Sequence, residues 1–300
     1  MTTEPGRSSS APAEPIDEEP LGRTAVELVD EPFEVEGQLA DASNLTLRVR
    51  FTGPDGSFTG VRGLYKPIRG EAPLRDFPEG TLGRREVAAY LISELGGWGL
   101  VPRTVLARGP LGPGSVQQWI DWESTGVQPG DGVLEVFPDG EVPSGWLPVV
   151  HGEDADGRAV VVAHQDAPDL AALAVLDLVL NNADRKGAHL VRDAGGGLWG
   201  LDHGLTLHPQ DKLRTVLWGW AGDPLPAEDI DRLHRLSDAL DEMPTDPAAG
   251  ASSPTRADAL ARLISPDELV ALRARVAALL THPVFPTLPT DRYPLPWPLW

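Results

Sequence analysis

The chain has 300 residues, no cysteine, 41% hydrophobic residues and a formal net charge of −20. That length and apolar content suffice for one or two packed units, while the lack of cysteine excludes disulfides, thiolate catalysis and Cys-ligated zinc or iron–sulfur sites. The negative field repels phosphate backbones and anionic lipid surfaces, which argues against a nucleic-acid or membrane partner. There is no apolar run of bilayer-spanning length and no signal-like apolar stretch near the start, so the expected location is cytoplasmic. High counts of Gly and Pro, 32 and 30, fit a GC-rich bacterial genome.

In chain order, residues 1–20 are rich in Ser, Pro, Ala and Glu and read as a disordered tail. Residues 24–36 fit a short helix or strand. Leu45, Leu47, Val49 and Phe51 then alternate with polar residues, as in a half-buried strand. The turn Gly53-Pro54-Asp55-Gly56 and the return through Val61, Leu64 and Tyr65 to Lys66 complete a hairpin. A helix is expected over 81–95, with Thr81 as its N-cap and Gly96-Gly97 as its end. Strands follow at 101–107 and 115–121, which closes a unit over 21–121. Residues 122–167 are acidic and rich in Gly and Pro, and read as a linker with an insertion holding one strand at 159–163. Residues 169–180 are apolar nearly all round, the pattern of a core helix. A hairpin turning at Asp193–Gly197 comes next, then helices near 227–242 and 266–280, which place a mainly helical unit at 168–285. The segment 286–300 carries prolines and tryptophans and should be extended, either docked by its aromatics or free.

The chemistry concentrates in Asn181–Leu207. Asp184 stands five residues before His189 and eighteen before Asp202, which opens an Asp-His-Gly triplet. Phosphoryl transfer needs one carboxylate to orient the attacking hydroxyl and further ligands to hold divalent metal over the phosphates, and a short hairpin brings these to one cleft. Asp184 is the candidate catalytic group. Arg185 and Lys186 beside it are candidates for offsetting charge on the transferring group. Asp202 and His189 are the candidate metal ligands. The pattern expects Asn at 189, and imidazole is a poorer partner for Mg²⁺ than for softer ions such as Mn²⁺. Lys66 at the end of a strand, with Glu86 twenty residues on in a helix, fits a phosphate-binding lysine fixed by a glutamate. No GxGxxG precedes Lys66. Ser43 and Asn44 in the first turn are the candidates for donating to phosphate, and Gln118 and Trp119 occupy the place of the segment that contacts adenine. His151, His164 and His208 read as ordinary surface residues.

These residues resemble the phosphatidylinositol 3-/4-kinase-like superfamily, in particular its type II phosphatidylinositol 4-kinase and HipA-like branches. There the loop reads Asn-x-Asp-Arg-x-x-x-x-Asn followed by Ile-Asp-x-Gly. Here it reads Asn182-Ala183-Asp184-Arg185 with His189 at the Asn position, then Leu201-Asp202-His203-Gly204. The stretch Trp218–Pro226 is similar to the downstream segment of the lipid kinases, and the chain as a whole resembles an actinobacterial kinase-like family. The resemblance implies an α+β, bilobal protein-kinase-like fold with a small strand-rich lobe and a larger, mainly helical one. It implies ATP and Mg²⁺ or Mn²⁺ as cofactors, with Lys66 on phosphate, Asp184 at the acceptor hydroxyl and Asp202 on metal. With neither a basic patch nor an amphipathic membrane segment, the expected acceptor is a protein or a soluble small molecule. The chain itself is one such protein, through Ser8, Ser9, Ser10 or Thr24. Two alternatives stand beside this: a nucleotide-binding pseudokinase regulating a protein partner, and transfer of AMP on the same fold.

Overall fold

A computed structural model describes residues 33–39, 44–243 and 255–300. The expected N-terminal tail, with its serines, and Ser43 lie outside the described residues. The fold is α+β and bilobal, with a strand-rich first part and a mainly helical second part.

Five antiparallel strands form the first sheet: β1 (Phe33–Gln38), β2 (Leu47–Thr52), β3 (Phe58–Pro67), β4 (Thr104–Gly109) and β5 (Gly112–Gln118), in the order β1-β2-β3-β5-β4. Alternation divides its faces. Leu47, Val49, Phe51 and Tyr65 join Phe33, Ala107 and Val116 in a small apolar cluster. Lys66, Leu64 and Arg62 recur at every second position of β3 and so share the opposite face.

Helix α1 (Leu82–Gly96) crosses between β3 and β4. Its N-terminal N–H groups are not capped by Thr81, whose hydroxyl donates instead to the Pro78 carbonyl (2.7 Å). The Glu71 carboxylate takes that role, accepting from Gly83 N (3.0 Å) and Leu82 N (3.3 Å). Gly97, at φ 79°, ends the helix. Although α1 sits in sequence among the strands of the sheet, Val87–Ile92 pack in the large core of the helical part. Arg85 fastens it there, paired with Glu268 and donating to the Thr206 carbonyl.

The stretch expected to be an irregular linker is instead a second antiparallel sheet. It comprises β6 (Leu134–Pro138), β7 (Trp146–Glu153) and β8 (Ala159–Gln165), ordered β6-β8-β7. Only β8 shows a clean apolar run, so only it was visible in the sequence; β6 and β7 are half-exposed and carry weak alternation. His164, expected at the surface, is buried at the end of β8. Its Nε2 accepts from Gly219 N (2.9 Å) and its Nδ1 faces the Gln165 carbonyl (3.0 Å).

Helix α2 (Pro168–Leu180) is buried along almost its whole length, which its apolar sequence requires. It delivers the chain to the hairpin of β9 (Leu190–Arg192) and β10 (Leu198–Gly200). Helices α3 (Ala227–Asp241), α4 (Arg256–Leu263) and α5 (Pro266–Thr281) complete the large core. The short α4 was not expected from sequence. Its capping box between Thr255 and Asp258 is the local signal for it. Beyond α5 the chain is extended and docked, with Leu295 buried against Leu213 and Trp218. No helix among the described residues is long and apolar enough to cross a membrane.

Candidate active site

The cleft between the first sheet and the β9–β10 hairpin gathers the candidate residues. A cavity of about 110 Å³ is lined by Asn44, Lys66, Glu71, Glu86, Asp184, Asp202 and Gly204, among others. Strand β3 carries Lys66 into it and α1 carries Glu86. The turn after β10 carries Asp202, whose φ of 52° swings its carboxylate back into the cleft. A non-glycine residue in the left-handed region is uncommon and costs local strain.

Lys66 is the centre of the cluster. Its Nζ lies 2.5 Å from Glu86 Oε1 and 3.0 Å from Asp202 Oδ1. Burial alone would depress its pKa; the Asp202 and Glu86 carboxylates outweigh burial and hold the ammonium above its usual range. Burial likewise opposes ionisation of Asp202, but the Lys66 charge and the His189 ring hold that carboxyl well below the ordinary range. Glu86 is raised by its burial, against the pull of Lys66. Its second oxygen accepts the backbone N–H of His203 (3.0 Å), so one carboxylate ties α1 both to the lysine and to the Asp-His-Gly triplet.

Asp184 faces the same cavity. Its backbone N–H donates to Asn182 Oδ1 (3.0 Å), and its Oδ2 meets Lys186 Nζ at 3.1 Å. Burial pushes this carboxyl up, partly offset by Lys186. That direction suits a group that must accept a proton near neutral pH.

Arg185 does not face the cavity as the sequence had implied. Its side chain is fully buried, with Nε and Nη2 each 2.9 Å from the Asp177 carboxylate of α2. It also donates to the Leu201 carbonyl (2.7 Å), and its Nη2 lies 2.7 Å from His203 Nε2. An always-charged guanidinium sealed in the core needs this many partners. The cation that reaches the Asp184 carboxylate is its neighbour, Lys186. Arg185 therefore fixes the backbone on both sides of the site. Asp177 is the partner the sequence reading overlooked, and a lone acid inside an otherwise apolar helix was the available signal. His203 completes this interior set, with burial and Arg185 holding its ring far below the ordinary range.

His189 Nε2 lies 3.5 Å from Asp202 Oδ2, the oxygen not engaged by Lys66. Burial depresses His189 to about 4. The ring is therefore neutral down to well below the pH at which an unperturbed imidazole takes up a proton. Among the described residues there is no cluster of three or more side chains suited to holding a metal ion. Asp202 and His189 fit a divalent cation that takes its other ligands from phosphate and water, as Mg²⁺ commonly does.

Asn44 borders the cavity, and its Oδ1 accepts from Ala72 N (2.7 Å), closing the first turn onto the chain after β3; an accepted bond at that oxygen leaves its own donors to the role expected of it. Gln118 and Trp119 line a second cavity, with Arg48, Arg62, Asp121 and Glu123. Their backbone N–H groups are already bonded to Arg103 O (2.8 Å) and Arg62 O (3.0 Å). The Trp119 ring lies 5.6 Å from the Arg48 guanidinium carbon, and Arg48 pairs with Glu36 and Glu123.

The fold is a bilobal α+β one whose cleft gathers Lys66, Glu86, Asp184 and Asp202. The chain belongs to the family of protein Rv2133c of Mycobacterium tuberculosis, with which it is 41% identical over 278 residues, spanning 90% of this chain and 93% of that protein. No family model matches it. Among solved structures it is similar to hydra Fam20 with sugar (TM-score 0.43, 11% identity, 84% of this chain and 85% of that one). It is also similar to the Helicobacter pylori proinflammatory kinase CtkA (TM-score 0.43, 11% identity, 86% and 95%).

Proposed function

We propose that this protein is an ATP- and divalent-metal-dependent phosphotransferase acting on a hydroxyl, of the atypical kind that the phosphatidylinositol 3-/4-kinase-like resemblance implies. The observation that carries the reading is the meeting of Lys66, Glu86, Asp202 and Asp184 in one cavity, drawn from four separate elements. Lys66, held by Glu86, presents a positive charge to phosphate oxygens. Asp202 and His189 would hold the cation, which supplies charge neutralisation between the phosphates. Asp184 accepts the acceptor's proton as its oxygen attacks phosphorus, and Lys186 balances the charge beside it. A soluble acceptor and a cytoplasmic setting accord with the −20 charge.

Asp184→Asn tests the role assignment. It should suppress transfer while sparing ATP binding, because the carboxylate serves the acceptor and not the nucleotide. The check is intact mass after incubation with ATP and Mg²⁺ or Mn²⁺, beside an ATP titration. Wild-type transfer by this variant would remove Asp184 from the reaction, and a mass gain of AMP in place of phosphate would redirect the reading to nucleotidyl transfer. A second reading, a nucleotide-binding pseudokinase, draws support from His189. The Lys186 N–H lies 3.5 Å from Nδ1, which favours the tautomer with its proton on Nε2, the nitrogen that faces Asp202. Nucleotide binding without any mass gain would support it.

A further inference from the structure

We propose that the groove beside the catalytic loop is an acceptor site for an extended polypeptide, and that residues 292–300 of this chain fill it as an internal stand-in. This rests on the phosphotransferase reading and adds to it the chemical class of the acceptor.

Lys66 and Glu86 wall one side of the cavity that Asp184 faces, and the loop runs on from Asp184 through Lys186 and Gly187 beside the segment 213–216. That segment is joined to the catalytic loop by the parallel bridge between Arg185 and Thr215. The loop, this segment and Trp218 just beyond it offer three donors: Gly187 N, Thr215 N and Trp218 Nε1. All three are taken by carbonyls of one irregular segment without strand structure, between Pro294 and Leu299. Gly187 N donates to Leu299 O (2.8 Å), Thr215 N to Pro294 O (3.2 Å) and Trp218 Nε1 to the same oxygen (3.0 Å). Main-chain bonding to an extended segment, with pockets for selected side chains, is how sheet edges recognise peptides. Leu295 fills one such pocket against Leu213 and Trp218. The Trp300 indole fills another over Gly187 and Gly130, where a β-carbon on Gly187 would come within 3.0 Å of it.

The occupant is chemically inert in this role. From Pro294 to Trp300, the stretch that meets the three donors, it has no hydroxyl to take a phosphoryl group; the one hydroxyl of 292–300, on Tyr293, precedes that stretch on an exposed side chain. Pro294, Pro296 and Pro298 lack N–H groups, so the segment mainly accepts hydrogen bonds, which matches the three donors. It is anchored by a few contacts. Leu295 and Leu299 pack below it, and Arg292 donates to the Leu213 carbonyl and pairs with Asp211 through two 2.8 Å bonds; that carboxylate is 71% exposed, and exposed ion pairs contribute little. Trp297 stands 81% exposed on the outer side of the segment. A hydroxyl-bearing segment can displace such a stretch without unfolding what lies beneath.

The test uses the full chain carrying Arg292→Ala with Leu295→Asp, which frees the segment and leaves the residues around Asp184 untouched. The probe is a labelled peptide of the sequence 286–300. The freed variant should bind it about tenfold or more tighter than wild type, whose groove is already filled. It should also pass phosphate several-fold faster to a basic, serine-containing peptide, with unchanged ATP affinity. A folded, ATP-binding variant showing no gain in peptide binding, or none in transfer, overturns the proposal. Trp300→Ala loosens only the end over Gly187 and should move both readouts the same way by less; it decides the matter if the double variant does not fold. Failure of the wild type to bind ATP would instead strike the phosphotransferase reading, and the peptide titration would still decide the groove.

Discussion

Two clusters of charge lie close together in this protein and behave differently. One joins Lys66 to Glu86 and Asp202. The other joins Arg185 to Asp177 and His203, and the two meet only through the backbone of the Asp-His-Gly triplet. The Arg185–Asp177 pair is wholly sealed and nearly every donor of the guanidinium is used on fixed protein acceptors. The Lys66 cluster opens on the cavity, with the Asp202 side chain 43% exposed. A sealed network can only hold the fold in place, because no ligand reaches it. An open one keeps a charge that phosphate or a cation can share. The sequence runs the two together, Asp184-Arg185-Lys186, and only burial separates the residues that face the cavity from the one that faces the core.

Removing one partner of the sealed pair should therefore cost stability first. Arg185→Ala leaves Asp177 buried without its counter-charge, a loss of about 3–5 kcal/mol, read as a lower midpoint in urea unfolding. A loss below about 1 kcal/mol would mean the interior is less sealed than described. His164 belongs to the same sealed class and gives a pH signature. Burial depresses it to about 4, so the unfolded chain binds a proton that the folded chain refuses. Its contribution to stability is complete above about pH 6.5 and falls away as pH drops toward 4, by about 3 kcal/mol in all. Unfolding free energies measured across that range should show the decline, and His164→Asn should flatten it. A profile identical in the two proteins would show that His164 titrates freely.

The open cluster should respond in ligand binding. Lys66→Ala should weaken ATP affinity by about tenfold to a hundredfold, and Glu86→Ala by less, because the glutamate only positions the lysine. The double variant should lose less than the sum of the two. Strict additivity would show that the 2.5 Å contact carries no functional coupling.

How far these differences could be read from sequence follows the kind of signal each residue carries. Helices α1, α2, α3 and α5 have apolar spacing or caps that any helix of their class must show, and their expected limits fall within a residue or so of those observed. The meeting of Lys66 with Glu86 was legible from strand–helix order, and that of Asp202 with the cleft from an acid ending an apolar strand. The inward turn of Arg185 was not legible, because Arg and Lys side by side give the same local pattern whichever one faces the core. Nor was the sheet β6-β8-β7, whose outer strands carry too little apolar alternation. Gln118 and Trp119 were assigned from position along the chain, and position says nothing of which backbone hydrogen bonds are already spent.

The central claim is that the open cluster is a metal-assisted nucleotide site. It is tested most directly by titrating ATP into the wild-type protein and into Asp202→Ala, each with and without Mg²⁺ or Mn²⁺, while following heat and thermal unfolding. Lys66 keeps Glu86 as a partner in the variant, so the fold should persist. The account predicts metal-dependent ATP binding in the wild type and its loss in a folded variant. Equal, metal-dependent affinity in both proteins would contradict it.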